Sequence, residues 1–214
     1  MVAQRGRQFD VDLVLRDDGA AWPAVIEHLP GNLEIWSEGR AMQRAWLFDT
    51  LSVTIAEVDF HDPQLRDDPG ARERGVRVEM RPMASEMHGT VYVSETITLQ
   101  PAICRIDLLE SRPGAADRMH WHPVMHSGEP GDRTFEAAMS ADPIRWLSDR
   151  LRNLDELLQA THPDVAARHA VDSGAVSRVA EEISDTVRGA LEACRMPWRD
   201  VEHDERGMAI PGAY

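Results

Sequence analysis

"TVYVSETITLQPAICRIDLLESRPGAADRMHWHPVM" (residues 90–125) is the stretch whose reading decides the fold. Apolar and polar residues alternate through 90–100, 102–111 and 118–125, the period of a strand with one buried face. The breaks are short: Gln100-Pro101, then "RPGAAD" (112–117). Short connections between alternating runs predict antiparallel neighbours. With the hairpin tip at 113–116, Leu109 faces His120 and Asp107 faces His122. With a tight turn at Gln100-Pro101, Asp107 also faces Ser94, and Arg105 faces Thr96. One face then carries Ser94, Thr96, Arg105, Asp107, His120 and His122, their opposed side chains about 5 Å apart. The other carries Ile97, Leu99, Cys104, Ile106, Leu108, Met119 and Trp121 and reads as the core face. Glu95 and Glu110 fall on that side or at its edge, which implies either a shifted register or a buried carboxylate.

Strand signals continue upstream. "QFDVDLVLR" (8–16) alternates, "SVTIAEV" (52–58) is rich in β-branched residues, and "VRVEMRPM" (76–83) alternates again. "AAWPAVIEHL" (20–29) reads as a short helix, and "DPQLRDDPGARERG" (62–75) as a charged, mobile loop. Downstream of Pro130-Gly131 the period changes. Asp142-Pro143 starts a helix, with Asp as N-cap and Pro at the first helical position. Ile144, Leu147, Leu151, Leu154 and Leu158 fall on one stripe of it. "HPDVAARHAVDSG" (162–174) reads as a short helix ending at Gly174. Ser173 is placed to cap a further one, with Val176, Val179, Ile183, Val187 and Leu191 on one face. The tail "DERGMAIPGAY" (204–214) is expected to be loosely held.

The predicted fold is therefore α+β: a largely antiparallel sheet, open to curling into a barrel-like form, followed by a C-terminal helical region. Residues 1–130 form the β-rich domain carrying the histidines. Residues 131–214 form the helical region, which either packs on the sheet or makes a homodimer seam.

Composition narrows the function classes. The chain has 214 residues and a net charge of −14; its 23 basic residues, all arginine, are scattered among 37 acidic ones. Nucleic acid or an anionic membrane surface requires concentrated positive charge, so neither is expected as a partner. No apolar run approaches the ~20 residues of a membrane span, and the N-terminus has no secretory apolar region. Two cysteines, Cys104 and Cys194, make no disulfide framework, so a reducing cytoplasm is expected. P-loop, GxGxxG, GxSxG and CxxC motifs are absent.

What stands out chemically is "HWHPVMH" (120–126), three of nine histidines in seven positions. His120 and His122, at i and i+2 of a strand, point to one side. Such a pair can clamp a divalent metal, with Zn, Fe, Mn or Ni suited to imidazole. Candidates to complete the shell are His126, His88, Asp107 and Glu95. Alternatively Asp107 orients His122 from behind, and Arg105 holds an anionic group of the substrate. Pro123 puts the pair at a strand end, where sheets open into pocket mouths. An HxH strand pair with an added carboxylate or histidine resembles the metal site of cupin-type barrels over these residues alone; the glycine-led spacing around it is missing. The competing reading is the solvated side of a two-layer sandwich, with Asp107–His122 an exposed ion pair. The functional expectation is a metal-binding cytoplasmic protein, open to being a metal-dependent enzyme on a small polar or anionic molecule. The alternative is a non-catalytic module that binds a ligand or a protein through the sheet and dimerises through its helices.

Overall fold

The computed structural model describes residues 11–15, 25–29, 32–36, 43–65, 67–88, 94–161 and 163–210. The strands in chain order are β1 (Val11–Leu15), β2 (Val25–Leu29), β3 (Asn32–Trp36), β4 (Gln43–Leu47), β5 (Leu51–His61), β6 (Arg72–His88), β7 (Ser94–Leu99), β8 (Cys104–Glu110), β9 (His120–His122), β10 (Met125–His126) and β11 (Glu129–Pro130). The helices are α1 (Ala137–Ala141), α2 (Pro143–Arg152), α3 (Leu154–Gln159), α4 (Pro163–His169) and α5 (Ser173–Cys194). This is an α+β fold, with the helices C-terminal to the sheet.

The main sheet has nine strands in the order β1-β7-β6-β5-β4-β3-β2, with β8 also on β6 and β9 outside β8. Every pair in it is antiparallel except β1–β7. Among the described residues β1 and β2 do not pair, so the sheet stays open and the barrel-like form is not supported. The helix expected over 20–29 is not made where it is described: Val25–Leu29 is a strand, paired with β3 from Val25↔Trp36 to Leu29↔Asn32, and 20–24 lie outside the described residues. The β-branched pair Val25-Ile26 favours that extended state.

The 17-residue β6 organises the site. Its whole first part pairs with β5 on one side, Arg72–Pro82 against Leu51–His61. On the other side it takes β8 along Arg74–Met80 and β7 along Met83–His88. β7 and β8 are thus two segments running in one direction along the same edge. The chain does not reverse at Gln100-Pro101, and the expected β7–β8 pairing is replaced by two pairings with β6. Pro101 has no N–H for a ladder, so pairing lapses there. Gln100 N donates to Pro82 O (2.8 Å) and Ile103 N to Met80 O (2.9 Å), which carries the chain across the gap.

The β8–β9 register is Arg105↔His122, Ile106↔Trp121 and Asp107↔His120, a slip of two residues from the count made on sequence. The Asp117 carboxylate accepts from Ser111 N and Ser111 Oγ (3.0 and 2.6 Å) and so widens the loop. Gly114 (φ 79°) and Ala116 (φ 50°) turn it in the left-handed region. A slip of two keeps every side chain on its own face. Gly75 lets β6 and β8 approach: a Cβ there would lie 2.0 Å from Leu108 O.

The helices cover the other face. Val53, Val76, Val78, Cys104, Ile106, Leu108, Met119 and Trp121 share one buried cluster with Leu147, Leu151, Leu157, Val176, Ile183, Val187 and Leu191. Asp142 caps α2 by accepting from Arg145 N (3.0 Å), with Pro143 first in the helix. The apolar stripe expected as one helix is broken at Asn153, yet Leu154, Leu157 and Leu158 of α3 stay buried. Gly174 ends nothing: it lies in the first turn of α5, which starts at Ser173. Asp172, just before it, accepts from Asp49 N, Thr50 N (both 2.9 Å) and Thr50 Oγ1 (2.7 Å), tying the β4–β5 turn to α5. The tail is held as far as residue 210: His61 N donates to Gly207 O (2.8 Å) and Ala209 N to Asp59 O (2.9 Å). Residues 211–214 lie outside the described residues. Residues 62–71 carry two short 3-10 turns, and β6 begins at Arg72, inside the expected loop. No helix among the described residues is long and apolar enough to cross a membrane.

Two glycines separate close approach from helix propensity. Gly75→Ala is expected to destabilise by about 3 kcal/mol, because backbone must move. Gly189→Ala, on α5 with nothing within 4 Å of the added carbon, should stabilise by about 1 kcal/mol. Urea unfolding of the two variants beside wild type checks both.

Candidate metal centre

Face alternation along β6, β8 and β9 puts the charged residues opposite the helices. Two cross-strand rows result: Arg77, Asp107 and His120, then Glu79, Arg105 and His122. This face is not solvated. Asp107 is 2% exposed, His120 1% and His122 4%, which removes the reading of an open sandwich surface. The segment after β9 lies against it: Trp121 N donates to Thr134 O (3.0 Å) and Thr134 N to Trp121 O (2.8 Å). The Phe135 ring stands 5.6 Å from that of His120.

Buried charge in such a face needs partners. Asp107 Oδ1 accepts from Arg77 Nε (2.7 Å). Glu79 serves two arginines, taking Arg81 Nη2 on Oε2 (2.5 Å) and Arg105 Nε on Oε1 (2.7 Å). Burial alone would raise the pKa of Asp107, but Arg77, with Arg105 and His120, holds it below the ordinary carboxylate value. Burial likewise acts on Glu79, where Arg81 and Arg105 outweigh it and lower its pKa. Both are ionised at neutral pH.

Arg77 Nη2 also reaches Asp107 Oδ2, at a longer 3.4 Å, and that oxygen faces the histidines. It lies 3.6 Å from His120 Nε2 and 3.7 Å from His122 Nε2, beyond good hydrogen-bond length. The other ring nitrogens meet backbone carbonyls: His120 Nδ1 lies 2.7 Å from Arg118 O and His122 Nδ1 2.8 Å from Gly131 O. A carbonyl only accepts, so each Nδ1 carries the proton and each Nε2 presents a lone pair. Burial, ahead of all other causes, lowers the pKa of both rings below the ordinary 6.5 and keeps them neutral. The rings stand edge to face, 4.9 Å apart. Gly131 permits the carbonyl contact, since a Cβ there would lie 2.7 Å from Val124 O.

Three lone-pair atoms therefore converge, all within 4.8 Å of one another: Asp107 Oδ2, His120 Nε2 and His122 Nε2. With bonds of about 2.1 Å to one ion, tetrahedral ligand atoms stand roughly 3.4 Å apart, close to the 3.6 and 3.7 Å here. Among the described residues this is the one His/Cys/Asp/Glu group with such convergence.

The remaining sequence candidates fall elsewhere. His126 is exposed on β10 opposite Glu129 and outside the group. His88 is near the far end of β6 opposite Ser94, and Glu95 lies opposite Met87; their side chains are outside the described residues. Arg105 adjoins the group but gives its Nε to Glu79. Glu110 is a buried carboxylate on the helix-covered face, bound by Arg195 (2.6 Å). Sequence reasoning missed Arg77, Glu79 and Arg81. The signal was present, since "RVEMR" (77–81) places them at alternate positions of one strand. Nothing in the sequence marks the carbonyls of Arg118 and Gly131. No protein-family model, curated protein or solved structure matches this chain, so the site stands on its geometry.

The lowered histidine values set a pH dependence. A group whose folded pKa lies below its unfolded one stabilises fully above the unfolded value and loses that contribution as pH falls through the folded one. The metal-free protein should therefore weaken as pH drops below about 6.5, by up to about 1.4 kcal/mol per pH unit for each ring. His120→Gln/His122→Gln should show a shallower slope in urea melts over the same pH series.

Proposed function

We propose that this chain binds one divalent transition metal through Asp107, His120 and His122, and that it acts on a small polar or anionic molecule. The observation that carries the reading is the convergence of Asp107 Oδ2 with two imidazole nitrogens whose opposite nitrogens are bonded to carbonyls. Without a cation, two imidazole lone pairs would face a carboxylate oxygen that Arg77 Nη2 holds only at 3.4 Å, in a buried place, which costs free energy. Two imidazoles and one carboxylate suit Zn, Fe, Mn or Ni better than Ca or Mg, which take oxygen ligands. The carbonyls fix ring tautomer and orientation, and Arg77 fixes the carboxylate, the usual supports behind metal ligands. His126 and His88 are not needed for this set.

Three protein ligands leave coordination positions for water or substrate, as in catalytic rather than structural centres. A metal so held supplies Lewis-acid activation or ionises a bound water. The chain's own contribution is to orient the ligands, keep Asp107 ionised and both rings neutral, and shield the group from solvent. A reducing compartment such as the cytoplasm fits: Cys104 and Cys194 are buried free thiols whose pKa burial pushes up to about 12, leaving them unreactive.

Elemental analysis of protein purified without a histidine tag tests the proposal. Wild type should carry close to one equivalent of metal, and His120→Ala/His122→Ala and Asp107→Asn essentially none. Added Zn, Mn, Ni or Fe should raise the melting temperature of metal-stripped wild type only, because a ligand of the native state stabilises it. Arg77→Met should weaken metal affinity about 10- to 100-fold through the freed carboxylate. A metal-free wild type with an unmoved melting temperature would overturn the proposal in favour of a non-catalytic binding module.

A further inference from the structure

Beside the triad are two arginines held only loosely, both on the buried carboxylate of Glu73. Arg118 precedes His120 by two positions, in the bend that leads into β9, and Arg133 lies on the segment that returns past His122. Their side chains are 45% and 49% exposed. Each makes one loose contact, at 3.9 Å, and both contacts go to the same atom, Glu73 Oε1. Among the described residues neither guanidinium donates a hydrogen bond, so their donor forks are available. Arg77 and Arg105, by contrast, are tied to Asp107 and Glu79 at 2.7 Å.

Phe135, next along that segment, is 62% exposed and lies 5.6 Å from the His120 ring at an interplanar angle of 39°. A large aromatic ring is thus left in solvent at the edge of a polar group. The local charge is also opposite to that of the chain. Five arginines in this ion-paired set face three carboxylates, whereas the protein as a whole carries −14. A divalent ion would add to that local excess.

We infer that the mouth of the proposed metal centre binds a small organic oxyanion, carboxylate or phosphoryl, through Arg118 and Arg133, with Phe135 packing against its planar or apolar part. The planar guanidinium matches two oxygens of either group, and an aromatic ring contributes contact area at low entropic cost. This deepens the proposed function and rests on it for the metal that would meet the ligand's other end. The role given to Arg105 on sequence, holding an anionic substrate group, passes here to Arg118 and Arg133, because Glu79 already occupies its Nε.

The test uses benzoate and phenyl phosphate as oxyanion probes, with benzamide as the neutral isostere of benzoate. Titration calorimetry is run on wild type with and without added metal. At least one anion should bind ten-fold or more tighter than benzamide. Arg118→Met/Arg133→Met should abolish that preference while retaining the metal. Phe135→Ala should lower affinity for benzoate several-fold and leave acetate unchanged. Should the double variant misfold, Arg133→Gln alone, at an exposed side chain, is expected to weaken anion binding several-fold. Equal binding of benzoate, phenyl phosphate and benzamide, or full anion binding by the arginine variants, would overturn the inference even if metal is present. If wild type takes no metal, the proposed function falls, and the same anion-against-benzamide comparison on the metal-free protein still decides this one.

Discussion

A charge inside a sheet must be matched by the strand beside it, and the β6–β8–β9 ladder meets that condition row by row. Arg77 stands opposite Asp107 and Asp107 opposite His120; Glu79 stands opposite Arg105 and Arg105 opposite His122. Desolvating an ion in a protein interior costs several kcal/mol, on the order of what a good pairing returns. Removing any one member would strand its neighbour. The face is therefore specified as a set, and its geometry follows from strand pairing rather than from any single side chain. The 2.7 Å contact from Arg77 holds one oxygen of Asp107, and the other, 3.4 Å from the same guanidinium, faces the imidazoles.

The opposite face supplies the support. The apolar side chains of β5, β6, β8 and β9 pack with α2, α3 and α5 in one cluster. Two indole N–H groups there are matched: Glu136 accepts from Trp121 Nε1 (3.0 Å) and Trp146 Nε1 (2.9 Å). Trp121 lies between His120 and His122 in the chain and points the other way, so packing that fixes Trp121 fixes the strand carrying both histidines. Preorganisation of this kind distinguishes a usable site from residues that merely fall near one another.

Much of this was legible in local pattern. Alternation along 102–111 and 118–125 assigned the core and polar faces correctly, and Asp142-Pro143 marked the start of α2. The pairing partners were not legible. Gln100-Pro101 looks like a turn because proline interrupts a ladder, yet a proline interrupts equally well where a strand jogs and continues. Val25–Leu29 looks helical only until β3 is there to pair with it. The β8–β9 register depends on Asp117 reaching back to Ser111, a contact that alternation does not encode. His126 lies nearer to His122 in sequence than Gly131, whose carbonyl folds beside that ring, yet it is exposed on the short β10–β11 ribbon.

β7 did not keep its expected face, since Leu99 stands opposite Met83 and Cys104 opposite Met80, on the two faces of β6. For β8 and β9 the sequence by itself determined which side chains share a face, because a strand's period of two is a property of the backbone and survives a slip of two residues. It thereby committed His120, His122 and Asp107 to one side. The tertiary structure decided that this side is closed to water and that β6 rather than β7 borders β8. Those outcomes depend on contacts between segments far apart in the chain, whose free energies no local window contains.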